Sequence, residues 1–321
     1  MMIRRAMTYT CLISMFMLTA CSEKEDGHLE RCIMMRATVG DIKAESKAVS
    51  AKPYEGTDPA EMPLAADLWF SFKSGEYGTI EPTDTYTYIP CHTTATFTSA
   101  EITAINYDGD QSKALKYPTG DDKTIYCVGF YPQKKWSFTE DKTFSAVITG
   151  EDDLMFAPEL SGKWDNQFCT SEENSQHFRH MLTWIKIVVC ATSDEAASTW
   201  GDIQTVSLTT AETITINAIN AAEVAYDGSQ DLVIIDENHT LSVNLHEAGS
   251  VFCAPAASVI ITVTGENGLS ASKEIRAPGG GFMAGNQYII VLYFNELSVI
   301  DGVCSLSSWD NENDNLYLNK E

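Results

Sequence analysis

Short runs rich in Val, Ile, Thr and aromatic residues recur about every ten residues along this chain, separated by Gly, Asp, Asn and Pro, while apolar residues at helical spacing are scarce. That rhythm is the mark of a β-sandwich. Thr240 to Leu245 alternates cleanly, placing Leu241, Val243 and Leu245 on one face, and Thr213 to Ala218 does the same with Ile214 and Ile216. Met181 to Cys190 is apolar on both faces apart from Thr183 and Lys186, which predicts a central, doubly covered strand with Trp184 and Ile187 in a core.

The chain has 321 residues, 44% of them hydrophobic, enough for about two domains at ~150 residues each. Ser161 to Gln176 is polar and aperiodic and reads as a linker, so the boundary is expected near residue 173, between domains spanning 37–172 and 173–321. Strands are expected first at Leu68–Phe72, Tyr86–Ile89, Ile102–Tyr107, Thr124–Tyr131 and Phe144–Ile148. Beyond the boundary they are expected at His180–Cys190, Ile203–Leu208, Leu232–Ile235, Leu241–Leu245, Val251–Cys253, Val259–Val263 and Tyr288–Phe294. Asp108-Gly109 and Asp227-Gly228 are dipeptides of the kind that close hairpins. The expected class is all-β, with two sandwiches in tandem.

The N-terminus carries an export signal. Arg4 and Arg5 precede an apolar stretch from Cys11 to Leu18, too short to span a bilayer, and Leu18-Thr19-Ala20-Cys21 is similar to the lipobox of bacterial lipoproteins. Residues 1–20 are then a signal peptide and Cys21 is the acylated mature terminus, held at a membrane by its lipid. The acidic stretch Ser22 to Gly27 is a solvated tether and is similar to a surface-export tag. With it, residues 21–36 form the tether and a removable segment.

The formal net charge is −24, and loss of Arg4 and Arg5 takes the mature chain to −26. Nucleic acid is excluded as a partner, because phosphate binding needs basic patches. Of nine cysteines, Cys11 leaves with the signal and Cys21 carries lipid. The remaining seven show no C-x-x-C spacing. Cys127, Cys190 and Cys253 lie in apolar runs, where buried free thiols are expected.

Residues that would carry catalysis or hold a metal are not gathered by the sequence. His177 and His180 are three apart and point to opposite faces of a strand, so His180 reads as a core residue. His246-Glu247 lacks a second histidine four residues on, and no G-x-S-x-G elbow occurs. Gly279-Gly280-Gly281 follows Pro278, with no lysine after it, and reads as a turn rather than a phosphate loop. Asp310 to Asn315 has a calcium loop's composition without its glycine and terminal glutamate. No cofactor, no metal and no enzymatic activity are expected.

Five landmarks in order resemble the fimbrillin family, the subunits of type V pili. They are Tyr126 to Pro132, ending in an aromatic pair and proline; Asp153-Leu154-Met155-Phe156-Ala157; Phe178-Arg179-His180-Met181-Leu182; Phe282 to Tyr288, with Ala284-Gly285; and Ile300 followed by Trp309. The resemblance implies two tandem transthyretin-like sandwiches and a lipoprotein on the cell outer membrane. It also implies processing after an arginine that frees a groove for a donor strand of the next subunit. Arg36-Ala37-Thr38 looks like the family's cleavage region, although Met35 stands where threonine is usual and Arg31 is a rival. Leu29, Ile33 and Met35 share strand parity in the removable segment, and Leu316 with Leu318 is the donor-strand candidate.

Two functions follow. The first is a structural or adhesive pilus subunit, partnered by other subunits of that family, by the outer membrane through its lipid, and by a host protein or glycan. The alternative is a non-polymerising surface lipoprotein that binds glycan, for which Trp69, Trp136, Trp164 and Trp200 are the candidate platforms if exposed.

Overall fold

The computed structural model describes residues 117, 124–132, 134–139, 143–168, 176–218, 223–235 and 238–307 and, as backbone strands, 37–39, 63–72, 87–96, 101–102 and 105–106. The β-branched runs become the strands β1 (Ala37–Val39), β2 (Pro63–Phe72), β3 (Thr87–Thr96), β4 (Glu101–Ile102), β5 (Ile105–Asn106), β6 (Thr124–Tyr131) and β7 (Trp136–Thr139). These are followed by β8 (Thr143–Val147), β9 (Met155–Lys163), β10 (Gln176–His180), β11 (Thr183–Ala191), helix α1 (Asp194–Trp200), β12 (Ile203–Thr210), β13 (Thr213–Asn217) and β14 (Val224–Asp227). The last six are β15 (Gln230–Ile235), β16 (His246–Cys253), β17 (Ser258–Gly265), β18 (Ser270–Arg276), β19 (Gln287–Phe294) and β20 (Ile300–Ser307). The fold is all-β, built as sandwiches.

The first sandwich sets an eight-stranded sheet, β4-β1-β10-β9-β6-β2-β3-β5, against a four-stranded sheet, β14-β13-β8-β7. An aromatic cluster joins them: Phe130 on β6 lies with its ring centroid 4.2 Å from Phe144 on β8, 5.0 Å from Trp136 on β7 and 5.3 Å from Phe156 on β9. Alternation along β8 buries Phe144 and Ala146 and turns Val147 to solvent, as a half-buried strand requires.

The second sandwich stacks β16-β11-β19-β20 on β15-β12-β17-β18. β11 runs parallel to β19 and antiparallel to β16, at the centre of its sheet. Ile185, Ile187 and Val189 join the main core, while Val188 packs with Ile289 and Val291 on the other face under Leu245 and Tyr293. The doubly covered strand expected from Met181–Cys190 is therefore present, with Trp184 and Ile187 both buried. Edges of the two sheets meet where Gly302 on β20 faces Ile275 on β18, and Lys273 reaches Asp301 at 3.0 Å across the same seam.

Pairing crosses residue 173. β10 bonds to β9 and β13 bonds to β8, so the first sandwich takes strands from chain that follows the expected boundary. One continuous core cluster runs from Val128 to Ile300 through both sandwiches.

Four expectations are corrected. The run expected as one strand over His180–Cys190 breaks at Met181–Leu182 and becomes β10 and β11, which belong to different sheets. Leu241–Leu245 is a bend rather than a strand, because Ser242 Oγ accepts the Asn244 N–H at 3.2 Å and the Ser242 carbonyl accepts the Ala191 N–H at 2.8 Å. Asp227-Gly228 closes no hairpin: Gly228, at φ +77°, carries the chain from β14 in one sheet to β15 in another. Ser161–Gln176 is not all linker, since β9 extends to Lys163 and β10 starts at Gln176.

Helix α1 was not anticipated. At seven residues it is too short for periodicity to reveal it. It is held locally by the Ser193 side chain, which accepts the Ala196 N–H, by Asp194 and Glu195 in the first turn, and by Gly201 at φ +67° after the last. It buries Trp200, which donates from Nε1 to the Asn295 carbonyl and meets Phe294 edge-on.

Candidate functional site

The eight-stranded sheet contains a slot one strand wide. β1 has three residues and lies between β10, which it joins in parallel (Ala37 opposite Gln176, Val39 opposite Phe178), and β4, which it joins antiparallel (Ala37 opposite Ile102). Removing β1 would leave the facing backbone N–H and C=O groups of both neighbours without partners, which is the template a new strand needs. β1 begins at the residue after Arg36. The strand seated in the slot thus lies downstream of the predicted cut, whereas Leu29, Ile33 and Met35, expected to fill a groove, lie outside the described residues.

β10 forms one wall of the slot. Phe178 on it is fully buried, and Gly129 on β6 leaves room for its ring: a Cβ at position 129 would stand 2.7 Å from Phe178 Cζ. At the end of β10 the His180 Nδ1 lies 2.7 Å from Asp153 Oδ2, both side chains buried. Next residue along, Met181 donates its N–H to the Leu154 carbonyl at 2.8 Å and accepts the Tyr226 hydroxyl proton at 2.6 Å. The wall is therefore tied to the β8–β9 connection and to β14 where the chain enters the second sandwich. Nearby Tyr131 has its hydroxyl pKa pushed up to about 12, first by burial and then by the negative charges of Asp153 and Asp152.

The predicted site residues divide sharply. Cys21, Arg36, Leu316 and Leu318 lie outside the described residues, as do Trp309 and Asp310–Asn315; β20 ends at Ser307. His180 is a core residue whose ring is bonded, as expected. Trp136 and Trp200 are buried in the core and cannot serve as exposed platforms; Trp164 is half-buried, and for Trp69 only the backbone of β2 is described. Pro278–Gly280 forms a short 3-10 turn, and Gly285 takes φ +74° in the turn before β19. Cys127, Cys190 and Cys253 are buried and Cys304 is half-buried, all four as thiols rather than disulfides. Burial raises the Cys253 thiol pKa to about 12. Among the described residues no three or more His, Cys, Asp or Glu side chains gather as a metal site, and no helix is long and apolar enough to cross a membrane.

Sequence reasoning missed the slot itself. Its walls come from residues 101–102 and 176–180, and only register in the folded sheet brings them to either side of residues 37–39. The one signal available was that two landmarks, Asp153–Ala157 and Phe178–Leu182, each supply one member of a buried hydrogen-bonded pair.

No protein-family model matches the chain, and no curated protein sequence matches it. Among solved structures, it is similar to a protein of Bacteroides uniformis provisionally assigned to cell adhesion, with TM-score 0.55 and 17% identity over 87% of this chain and 98% of that one. A Bacteroides ovatus protein with the same provisional assignment aligns over 89% of this chain and 100% of that one, at TM-score 0.47 and 12% identity. A fimbrial assembly protein of Parabacteroides distasonis aligns over 87% and 100%, at TM-score 0.43 and 12% identity. The first of these likenesses establishes a shared fold across most of both chains.

Proposed function

We propose that this chain is a surface-anchored, fimbrillin-like subunit, structural or adhesive, of a type V pilus assembled by strand exchange, and that it is not an enzyme. The observation that carries this reading is the three-residue strand β1, enclosed between β4 and β10 and starting directly after Arg36. Cleavage there leaves Ala37 as the new terminus, in the first paired position of β1. Three residues fall short of the usual strand length of roughly five to six, so a longer strand from another subunit can displace it and satisfy both walls. The tail carrying Leu316 and Leu318 supplies that strand, and Cys21 supplies the lipid that holds the chain at the outer membrane before assembly. The fold shared with a protein provisionally assigned to cell adhesion supports a surface role.

The reading is tested by limited trypsin treatment. Uncut chain should run as a monomer, chain cut after Arg36 should form oligomers, and deletion of residues 316–321 should abolish them. Cut chain that stays monomeric at high concentration would remove the assembly role. Cys21→Ala should lose label from a palmitate analogue, and label that persists would remove the anchor.

A further inference from the structure

We infer that His239 and His246 form a binding site for a divalent transition-metal ion of the class that prefers imidazole nitrogen, such as Zn2+. The sequence offers His246-Glu247 without a second histidine on the following turn. The fold supplies one from the other side, seven residues earlier, because the bend at Ser242–Asn244 folds the chain back on itself. Both imidazoles hang from fixed backbone. His239 and Ile203 exchange N–H···O bonds at 2.8 Å in each direction, and His246 opens β16 opposite Val189 of β11.

The two rings are 6.4 Å apart between centroids with their planes 76° from parallel. Two histidines sharing one tetrahedral ion at ~2.0–2.1 Å have centroids roughly 5 Å apart, so about 1 Å of closure is needed. His246 is exposed and free to supply it by rotating its side chain. His239 Nε2 is buried and has no hydrogen-bond partner among the described residues. A buried ring nitrogen in that state costs stability until something occupies its lone pair or takes its proton. His246 Nε2 lies 2.9 Å from Ser242 Oγ, a bond that ion binding would exchange for a stronger one. The Cys190 thiol nearby is already engaged with the Val243 carbonyl and is no ligand.

Charge favours a cation here. The chain as a whole carries −24. With two protein ligands the ion keeps open positions for water, unlike a closed structural site with four.

The experiment is calorimetric titration of Zn2+ into the full chain, purified without an affinity tag and stripped of metal. One ion per chain is expected, with His239→Gln and His246→Gln each weakening affinity by roughly tenfold or more. Co2+ absorption gives a second readout: nitrogen-coordinated d–d bands in the parent chain and none in His246→Gln. Because His246 is exposed, its variant keeps the test decisive if His239→Gln misfolds. Zn2+ bound no more tightly by the parent than by the double variant, or equally well by His246→Gln, means an adventitious ion only and overturns the inference.

Discussion

Asp153 Oδ2 sits 2.7 Å from His180 Nδ1, with 1% and 4% of the two side chains exposed, at the point where β10 ends and the chain enters the second sandwich. The pair pins one wall of the β1 slot to the β8–β9 connection. The second Asp153 oxygen has no partner among the described residues, so His180 is what keeps this buried carboxylate bonded. His180→Ala should cost about 1–3 kcal/mol in urea unfolding, because it leaves the buried Asp153 carboxyl group without its partner. Asp153→Ala combined with it should cost less than the two single changes added together. Additive losses would show that the two side chains are not coupled.

Ile187 is fully buried on the strand that joins both faces of the second sandwich. Ile187→Ala should cost about 2–5 kcal/mol, through lost burial and the cavity left behind. An unchanged melting temperature would refute the placement of β11 at the centre of its sheet.

Alkaline pH should destabilise the fold. Burial raises the Cys253 thiol from 9.0 to about 12, and burial with two neighbouring aspartates raises Tyr131 from 10.0 to about 12. Each is held neutral in the fold and loses its proton more readily when unfolded. Their stabilisation is complete below pH 9 and falls as pH rises toward 12. Urea midpoints at pH 8, 9.5 and 10.5 should fall in that order. Cys253→Ala should reduce the step from 8 to 9.5, leaving the share of Cys304, which burial also raises to about 12, and most of the tyrosine's contribution to the later step. A step unchanged in that variant would show that Cys253 does not titrate with unfolding.

Two glycines test the close approaches that hold the second sandwich. A Cβ at Gly265 would lie 2.5 Å from the Trp200 carbonyl oxygen, which is backbone fixed by α1, whereas at Gly302 it would meet the flexible end of Ile275. Gly265→Ala should cost about 1–3 kcal/mol by overpacking, and Gly302→Ala less, read from thermal unfolding. The reverse order would mean that the seam between β18 and β20 is the tighter contact.

Much of the secondary structure was legible because burial writes itself into sequence where one face of a strand is covered. Thr124–Tyr131 was read to the residue and Thr213–Ala218 to within one, while of the strand expected over His180–Cys190 β11 begins only at Thr183. Polar edge strands were not: β18 alternates Ser, Lys and Glu with only Ile275 fully buried, and β20 buries little beyond Ile300. Thr240–Leu245 shows the opposite error, an alternating run held as a bend by the Ser242 hydroxyl. Pairing of β8 with β13 could not be read either, since nothing in either strand names its partner. The slot was invisible for the same reason, being a property of register between segments 63 to 139 residues apart.

The proposed function requires that the slot beside β10 receive the tail of another subunit. Two single-cysteine additions, His177→Cys on β10 in one preparation and Leu318→Cys in a second, can be mixed, cut after Arg36 and oxidised. An intermolecular disulfide between the two chains, formed only after the cut and found by mass spectrometry as a peptide pair joining positions 177 and 318, is the predicted result. Cut, oligomeric protein in which position 318 never links to position 177, or links to it equally well before the cut, would contradict strand exchange at this site.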